Sequence, residues 1–173
     1  DKSAIGKPNL PSTTLGWSFG GYWRGFSFNV LFQGSFDYSF AINGTGIESF
    51  KSQFQPIHTS RWTLERYQNG EEIGFPRLTT NPSTINSAST YMSDFWLINA
   101  WYIRLKTVDL GYQLPKKILP KAIDNIRFYV NAYNLLTFTG YDKYQQDPEI
   151  KTNTAGDAYM NQRVVNLGVQ LTF

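Results

Sequence analysis

Cysteine is absent from the 173 residues, so the sequence contains no disulfide, no thiol nucleophile and no zinc-thiolate site. Histidine occurs once, as His58, and one histidine without cysteine cannot assemble a histidine-rich zinc site or a Cys-His pair. Charged residues make up only 17% of the chain and balance to +3, with no stripe of basic residues. This charge pattern argues against nucleic acid as a partner.

Long apolar runs are also missing, because no stretch of 18 or more apolar residues occurs, and this excludes a transmembrane helix. A membrane β-barrel would escape a hydropathy search, since its strands alternate lipid-facing with lumen-facing residues. The motifs G-x-S-x-G, H-E-x-x-H and the P-loop are absent as well. We therefore expect a protein that is not an enzyme.

Aromatic residues, in contrast, are as frequent as charged ones, at 17%. Such a composition excludes a disordered chain, because disordered segments are poor in aromatic residues and rich in charge. The rings must therefore be covered by a core, by lipid or by a partner.

The clearest pattern is an alternation of period two over residues 26–42, which predicts a long β-strand. One face carries the even positions, which are apolar or aromatic apart from Gly34: Phe26, Phe28, Val30, Phe32, Phe36, Tyr38, Phe40 and Ile42. At about 3.3 Å per residue this strand of 17 residues would be roughly 55 Å long. A tilted membrane strand needs only about 9–11 residues to cross a bilayer. We expect the predicted strand to project beyond the membrane. The opposite face is polar, and we predict that it faces a barrel lumen and forms hydrogen bonds with a plug. The residues concerned are Ser27, Asn29, Gln33 and Asp37, together with Arg127 of a later strand.

Four further strands are predicted from the same kind of alternation, which the C-terminal residues repeat clearly. They pass through Leu15–Phe19, through residues 101–114, through Ile126–Ala132 and through the C-terminal residues Val165, Leu167, Val169, Leu171 and Phe173. In the second of these the apolar set changes parity after Leu105, which predicts a β-bulge near Lys106 and Thr107.

The connections alternate between short and long. Residues 20–24 and 115–125 form short turns, the second with a basic cluster at Lys116, Lys117 and Lys121 that we expect to be solvated, whereas residues 43–90 and 140–160 form long polar loops. Outer-membrane barrels show this alternation, with short periplasmic turns and long extracellular loops, and it would place the C-terminus in the periplasm. A soluble carbohydrate-binding β-sandwich remains an alternative, although its strands would be shorter.

Several short motifs, taken in order, resemble the C-terminal part of the SusC/RagA family of TonB-dependent outer-membrane transporters. They are DKSAIGKP at residues 1–8, GFSFNVLFQG at 25–34, HTSRWT at 58–63, FPRL at 75–78, YIRLKTVDLGYQLP at 102–115, RFYVNAYNLLTF at 127–138, DPE at 147–149 and LGVQLTF at 167–173.

The resemblance implies an all-β fold: an antiparallel transmembrane β-barrel of 22 strands that is filled by a plug, of which residues 1–173 would form about five strands at the C-terminal end. It also implies active import of a nutrient, an oligosaccharide or a peptide, across the outer membrane of a Gram-negative bacterium. The implied partners are a SusD-like surface lipoprotein, TonB with ExbB and ExbD, the barrel-assembly machinery and membrane lipid. A passive porin-type barrel or an assembly platform is an alternative with the same strand features.

Two sets of candidate site residues follow. Phe173, Leu171, Val169, Leu167 and Val165 resemble the C-terminal signal that the barrel-assembly machinery recognises, although they also fit simple contact with lipid. Aromatic and basic loop residues are candidates for contact with a ligand or a partner: Arg61, Trp62, Tyr67, Trp96 and Tyr141.

No cofactor is expected. Four carboxylates of the second long loop, Asp142, Asp147, Glu149 and Asp157, offer oxygen ligands for calcium, but their spacing does not match an EF-hand. Solvated carboxylates are the preferred interpretation. The resemblance implies that His58 belongs to the loop framework.

Overall fold

The structure, a computed structural model, describes residues 3–42, 54–80, 93–140, 142–144, 147–150 and 159–173. Within these residues five strands form one sheet in the order β1-β2-β3-β4-β5, so each strand lies beside its neighbours in the sequence. The strands are β1 (Thr13–Trp23), β2 (Phe26–Ala41), β3 (Leu97–Gln113), β4 (Asn125–Thr139) and β5 (Val164–Thr172). A short helix, α1 (Leu64–Gln68), and 3-10 turns at Pro56–Ser60, Lys116–Ile118 and Asp142–Tyr144 lie in the connections. The prediction of an all-β, five-stranded sheet is confirmed.

The turn between β1 and β2 consists of Arg24 and Gly25, whose φ angles are 47° and 91°. Two successive residues with positive φ are typical of a type I′ turn, which matches the right-handed twist of the flanking strands. β1 therefore continues to Trp23, and the turn is later and tighter than the predicted loop at residues 20–24. The guanidinium of Arg24 lies 5.0 Å from the ring centre of Trp23.

The apolar stripe of β2 is exposed only in its first part. Phe26 and Phe28 are 56% and 45% exposed, whereas Tyr38 and Ile42 are buried. Between them Asp37 has a φ of 59°, in the left-handed region that bulged residues of strands adopt. The even-numbered residues beyond Asp37 therefore serve a protein core rather than one continuous exposed face.

β3 shows the predicted change of facing. Ile103 is exposed and Arg104 is buried, but further along the strand Leu110 is exposed and Gly111 is buried. The exposed positions thus change from odd to even between Arg104 and Leu110, as one extra residue in a strand requires.

The chain divides into two compact units. The first comprises Asp1–Ser12, Phe36–Trp101 and Thr139–Met160. Its hydrophobic core consists of residues from strand ends and loops: Tyr38, Ile42, Ile57, Phe75, Trp96, Ala100 and Tyr144. The end of β2 is attached to this core by a hydrogen bond from the Ile42 amide to the Trp96 carbonyl, 2.8 Å long.

The second unit comprises Thr13–Ser35, Tyr102–Phe138 and Asn161–Phe173, and it is almost entirely strand. β4 and β5 pair antiparallel from Asn125 opposite Thr172 to Tyr133 opposite Val164. No helix of the described residues has the length and apolar character needed to span a bilayer.

Candidate ligand-contact site

One face of the second unit carries a network of polar side chains. Arg127 of β4 donates hydrogen bonds to Asp109 of β3 at 2.6 Å and to the hydroxyl of Ser27 of β2 at 3.4 Å. Gly111 makes this reach across β3 feasible, since a Cβ there would lie 2.5 Å from the guanidinium nitrogens of Arg127. Ser27 and Arg127, predicted to share the polar face, are thus brought together.

The same polar face continues along the sheet. Gln33 donates to the hydroxyl of Tyr102 at 3.3 Å, and the buried Arg104 donates from Nε to the hydroxyl of Thr137 at 2.9 Å. Asp37, which was predicted to belong to this set, instead lies in the first unit and forms an exposed ion pair with Lys7 at 2.9 Å. The backbone of Asp37 is left-handed, as at a bulged strand residue, so the regular alternation of β2 is interrupted there.

The opposite face is apolar, and it is exposed along β5. Val165, Leu167, Val169 and Leu171 of β5 lie opposite Ala132, Val130, Phe128 and Ile126 of β4, and directly opposed residues project from the same face. Leu167 is 80% exposed, and so is Phe173, which follows the end of β5. The alternation predicted for β5 is present, whereas recognition of these residues by the assembly machinery stays a prediction.

In the first unit, the 3-10 turn at Pro56–Ser60 holds His58 in the interior. The His58 Nδ1 accepts a 2.8 Å hydrogen bond from the Gln55 amide, which closes the start of the turn. The buried imidazole also packs edge-on against Phe75, with ring centres 4.8 Å apart. These contacts agree with the expectation that His58 is part of the loop framework.

Two extended segments pair directly after this turn. Arg61 and Phe75 form an isolated parallel bridge, and the Trp62 amide donates to the Phe75 carbonyl at 2.8 Å. Between them α1 begins at Leu64, and the preceding Thr63 is its N-cap, since the Thr63 hydroxyl accepts a 3.2 Å hydrogen bond from the Arg66 amide. The helix with its following turn returns the chain so that residues 73–77 lie beside Trp62.

The paired segments form one side of a cavity of about 480 Å³ in the first unit. Its lining residues are Trp62, Ile73, Phe75, Pro76, Arg77, Ser93, Phe95 and Trp96. Trp96 is the central ring, since it packs edge-on against Phe75 at 5.7 Å and against Phe95 at 4.8 Å. Pockets of roughly 300–1,000 Å³ that are apolar with a few polar groups are typical of small-ligand sites.

The five loop residues predicted to contact a ligand or a partner do not share one location in the structure. Trp62 and Trp96 both line the cavity. Arg61 precedes Trp62 in the sequence but does not line the cavity, and its guanidinium makes a long 3.5 Å contact with the His58 carbonyl. Tyr67 lies on α1 and is 66% exposed, and Tyr141 is outside the described residues. Arg77 and Phe95 also line the cavity, although neither was among the predicted contacts. The motif FPRL, which includes Arg77, was the available signal.

The structure describes some residues of the predicted acidic and basic clusters. Asp147 accepts a 2.9 Å hydrogen bond from the Glu149 amide, Asp142 is exposed, and Asp157 is outside the described residues. Across the described part of the chain, no group of three or more His, Cys, Asp or Glu side chains is arranged to hold a metal ion. In the short β3–β4 turn, Lys116 forms an exposed ion pair with Asp124 at 2.7 Å.

An antiparallel sheet with one apolar, exposed face and one polar, hydrogen-bonded face is typical of the wall of a membrane β-barrel. Comparison with known proteins agrees with this class. TonB-dependent receptor P3 of Formosa agariphila is 26% identical over 189 aligned residues. That alignment includes 100% of the chain, which spans about 17% of the relative's length. No family model matches the chain.

Solved structures of the RagAB peptide transporter match in fold and in sequence. One has a TM-score of 0.68 and 27% identity, and a structure of the RagAB peptide importer in the open-open state has 0.69 and 28%. Each match covers 98% of this chain and 18% of the solved one. The chain is therefore related to the TonB-dependent transporters, and its resemblance to the SusC/RagA family is confirmed.

Proposed function

We propose that the protein containing this chain is a TonB-dependent transporter of the outer membrane, and that it imports short peptides. The observation that carries the proposal is the match to RagAB, which extends over 98% of the chain with a TM-score of 0.68. The apolar face of the sheet supports a position in the bilayer. The proposed transporter has no catalytic activity and leaves its cargo covalently unchanged.

The proposed partners are those that the family resemblance implies. A SusD-like lipoprotein at the cell surface would capture the peptide together with the extracellular loops. TonB, energised through ExbB and ExbD, would then act on the plug to open a path to the periplasm. If the long loops face the cell exterior, as this proposal requires, the short turns and the C-terminus lie on the periplasmic side.

Uptake of a labelled peptide mixture by the native host tests the proposal. Deleting the gene for this receptor and, separately, removing TonB should each abolish the same component of uptake, because the transporter needs an external energy source. Restoring the receptor on a plasmid should recover that component, which controls for effects of the deletion on other genes.

The alternatives give different results in the same experiment. A passive porin-type barrel would leave receptor-dependent uptake intact in the TonB-deficient strain. An assembly platform would show no receptor-dependent uptake of peptide. A soluble carbohydrate-binding protein would be recovered without detergent, whereas the transporter should be extracted from outer membranes only with detergent.

A further inference from the structure

We propose that the aromatic cavity of the first unit binds the C-terminal residue of a peptide, with its apolar side chain among the rings and its carboxylate on Arg77. The inference rests on the proposed function and assigns a ligand subsite within it. The cavity volume of about 480 Å³ is large enough for one bulky amino-acid residue with part of its neighbour.

The apolar part of the subsite has a fixed wall and an open rim. Phe75 and Trp96 are only 6% and 5% exposed, and their edge-on contacts hold both rings in place. Phe95 and Ile73, in contrast, are 47% and 37% exposed at the same cavity. A side chain that enters would therefore cover the exposed surfaces of Phe95 and Ile73 without displacing the core.

The charged part of the subsite is Arg77. This side chain is exposed, and throughout the described ranges it forms no ion pair with an acidic residue. The described lining contains no Asp or Glu. A guanidinium presents paired donors that match a carboxylate, so Arg77 favours an anionic group of that shape.

A peptide C-terminus combines these two requirements, because its carboxylate and its side chain are attached to the same carbon atom. A neutral sugar fits less well. Its hydroxyl groups need several directional partners, whereas Arg77 and Ser93 are the polar side chains that the described lining offers besides the two indoles. The cavity thus favours peptides that end in a large apolar residue.

Binding of a fluorescent peptide to the purified full-length receptor in detergent tests the subsite. The probe ends in phenylalanine and is used as the free acid and as the C-terminal amide. The wild-type receptor should bind the acid about tenfold more tightly, since a hydrogen bond to a charged group contributes more than a neutral one. Arg77→Gln should remove this preference by weakening the acid only, and Arg77→Lys should restore part of it.

Two further variants separate shape from charge. Phe95→Ala should weaken the acid and the amide by the same factor, because it removes apolar contact alone. Arg163→Gln is the matched control, since Arg163 is exposed, lies outside the cavity and should leave the affinity for both forms unchanged.

Equal affinity of the wild-type receptor for the acid and the amide would overturn the subsite, and so would an equal loss of both in Arg77→Gln. If TonB-dependent peptide uptake persists in either case, the proposed function stands without the subsite. Displacement of the probe by an oligogalacturonate but not by unlabelled peptide acid would overturn the peptide as occupant. If neither probe form binds and uptake is independent of TonB, both proposals fall.

Discussion

At the scale of single residues, Gly168 and Tyr129 show how the sheet accommodates large aromatic side chains. The two residues are directly opposite in the β4–β5 register. A Cβ on Gly168 would overlap the ring of Tyr129, so the glycine leaves the space that this ring occupies. The Tyr129 ring in turn lies 5.5 Å from the guanidinium of Arg127, which is anchored to Asp109. The missing side chain at Gly168 therefore helps to order the polar face.

We expect Gly168→Val to destabilise the folded barrel, because the added methyl groups must displace the Tyr129 ring; overpacking of this kind costs about 1–3 kcal/mol. The measurement uses gel electrophoresis of samples heated to increasing temperatures, in which the folded barrel migrates as a compact form. The temperature at which this compact form disappears should be lower for the variant. Gly16→Val is the control, since Gly16 is also in a strand but has no neighbouring atom within 4 Å of an added Cβ. An equal effect at both positions would show that loss of the glycine backbone, and not the Tyr129 contact, causes the change.

At the scale of strands and loops, the sequence predicts the strands better than the cavity. Period-two alternation identifies β2 and β5, and the change of parity after Leu105 locates the change of facing in β3, because both patterns are local. The burial of Tyr38 depends on loop residues such as Ile57 and Phe75, which are distant in sequence. The cavity likewise depends on pairing between residues 60–62 and 74–75, in which the amides of Gly74 and Phe75 donate to the Ser60 carbonyl. No periodic pattern in the sequence predicts this pairing.

The C-terminal strand carries the prediction for assembly. Deleting Phe173 should lower the amount of receptor inserted in the outer membrane by more than it lowers peptide uptake per inserted molecule, because Phe173 lies beyond β5 and ends the exposed alternation. Quantitative blotting of outer-membrane fractions measures insertion. Phe138→Ala is the control for simple loss of an aromatic ring, since Phe138 is 59% exposed on β4. Normal insertion of the deletion variant would contradict an assembly role.

At the scale of the whole molecule, the question is which environment each face of the sheet meets. In the structure Leu167 is 80% exposed and belongs to the apolar face, opposite Val130. Its neighbour Asn166 lies opposite Asn131 and belongs to the polar face. The two adjacent positions therefore report on the two sides of one strand, while length, register and position along β5 remain nearly constant.

Arginine substitutions at these two positions distinguish a membrane barrel from a soluble sheet. In a bilayer, Leu167→Arg should reduce the yield of folded receptor in the outer membrane, because a lipid-facing arginine costs about 2–4 kcal/mol near the midplane. Asn166→Arg should leave that yield unchanged, since the polar face already holds Arg127 paired with Asp109. In a soluble sheet Leu167→Arg would not lower the yield of folded protein below that of Asn166→Arg. There Leu167 would be exposed to water, so an arginine at this position would meet no hydrocarbon and would be tolerated. Loss of folded receptor confined to Leu167→Arg would therefore place the apolar face against lipid, and equal yields from the two variants would contradict that placement.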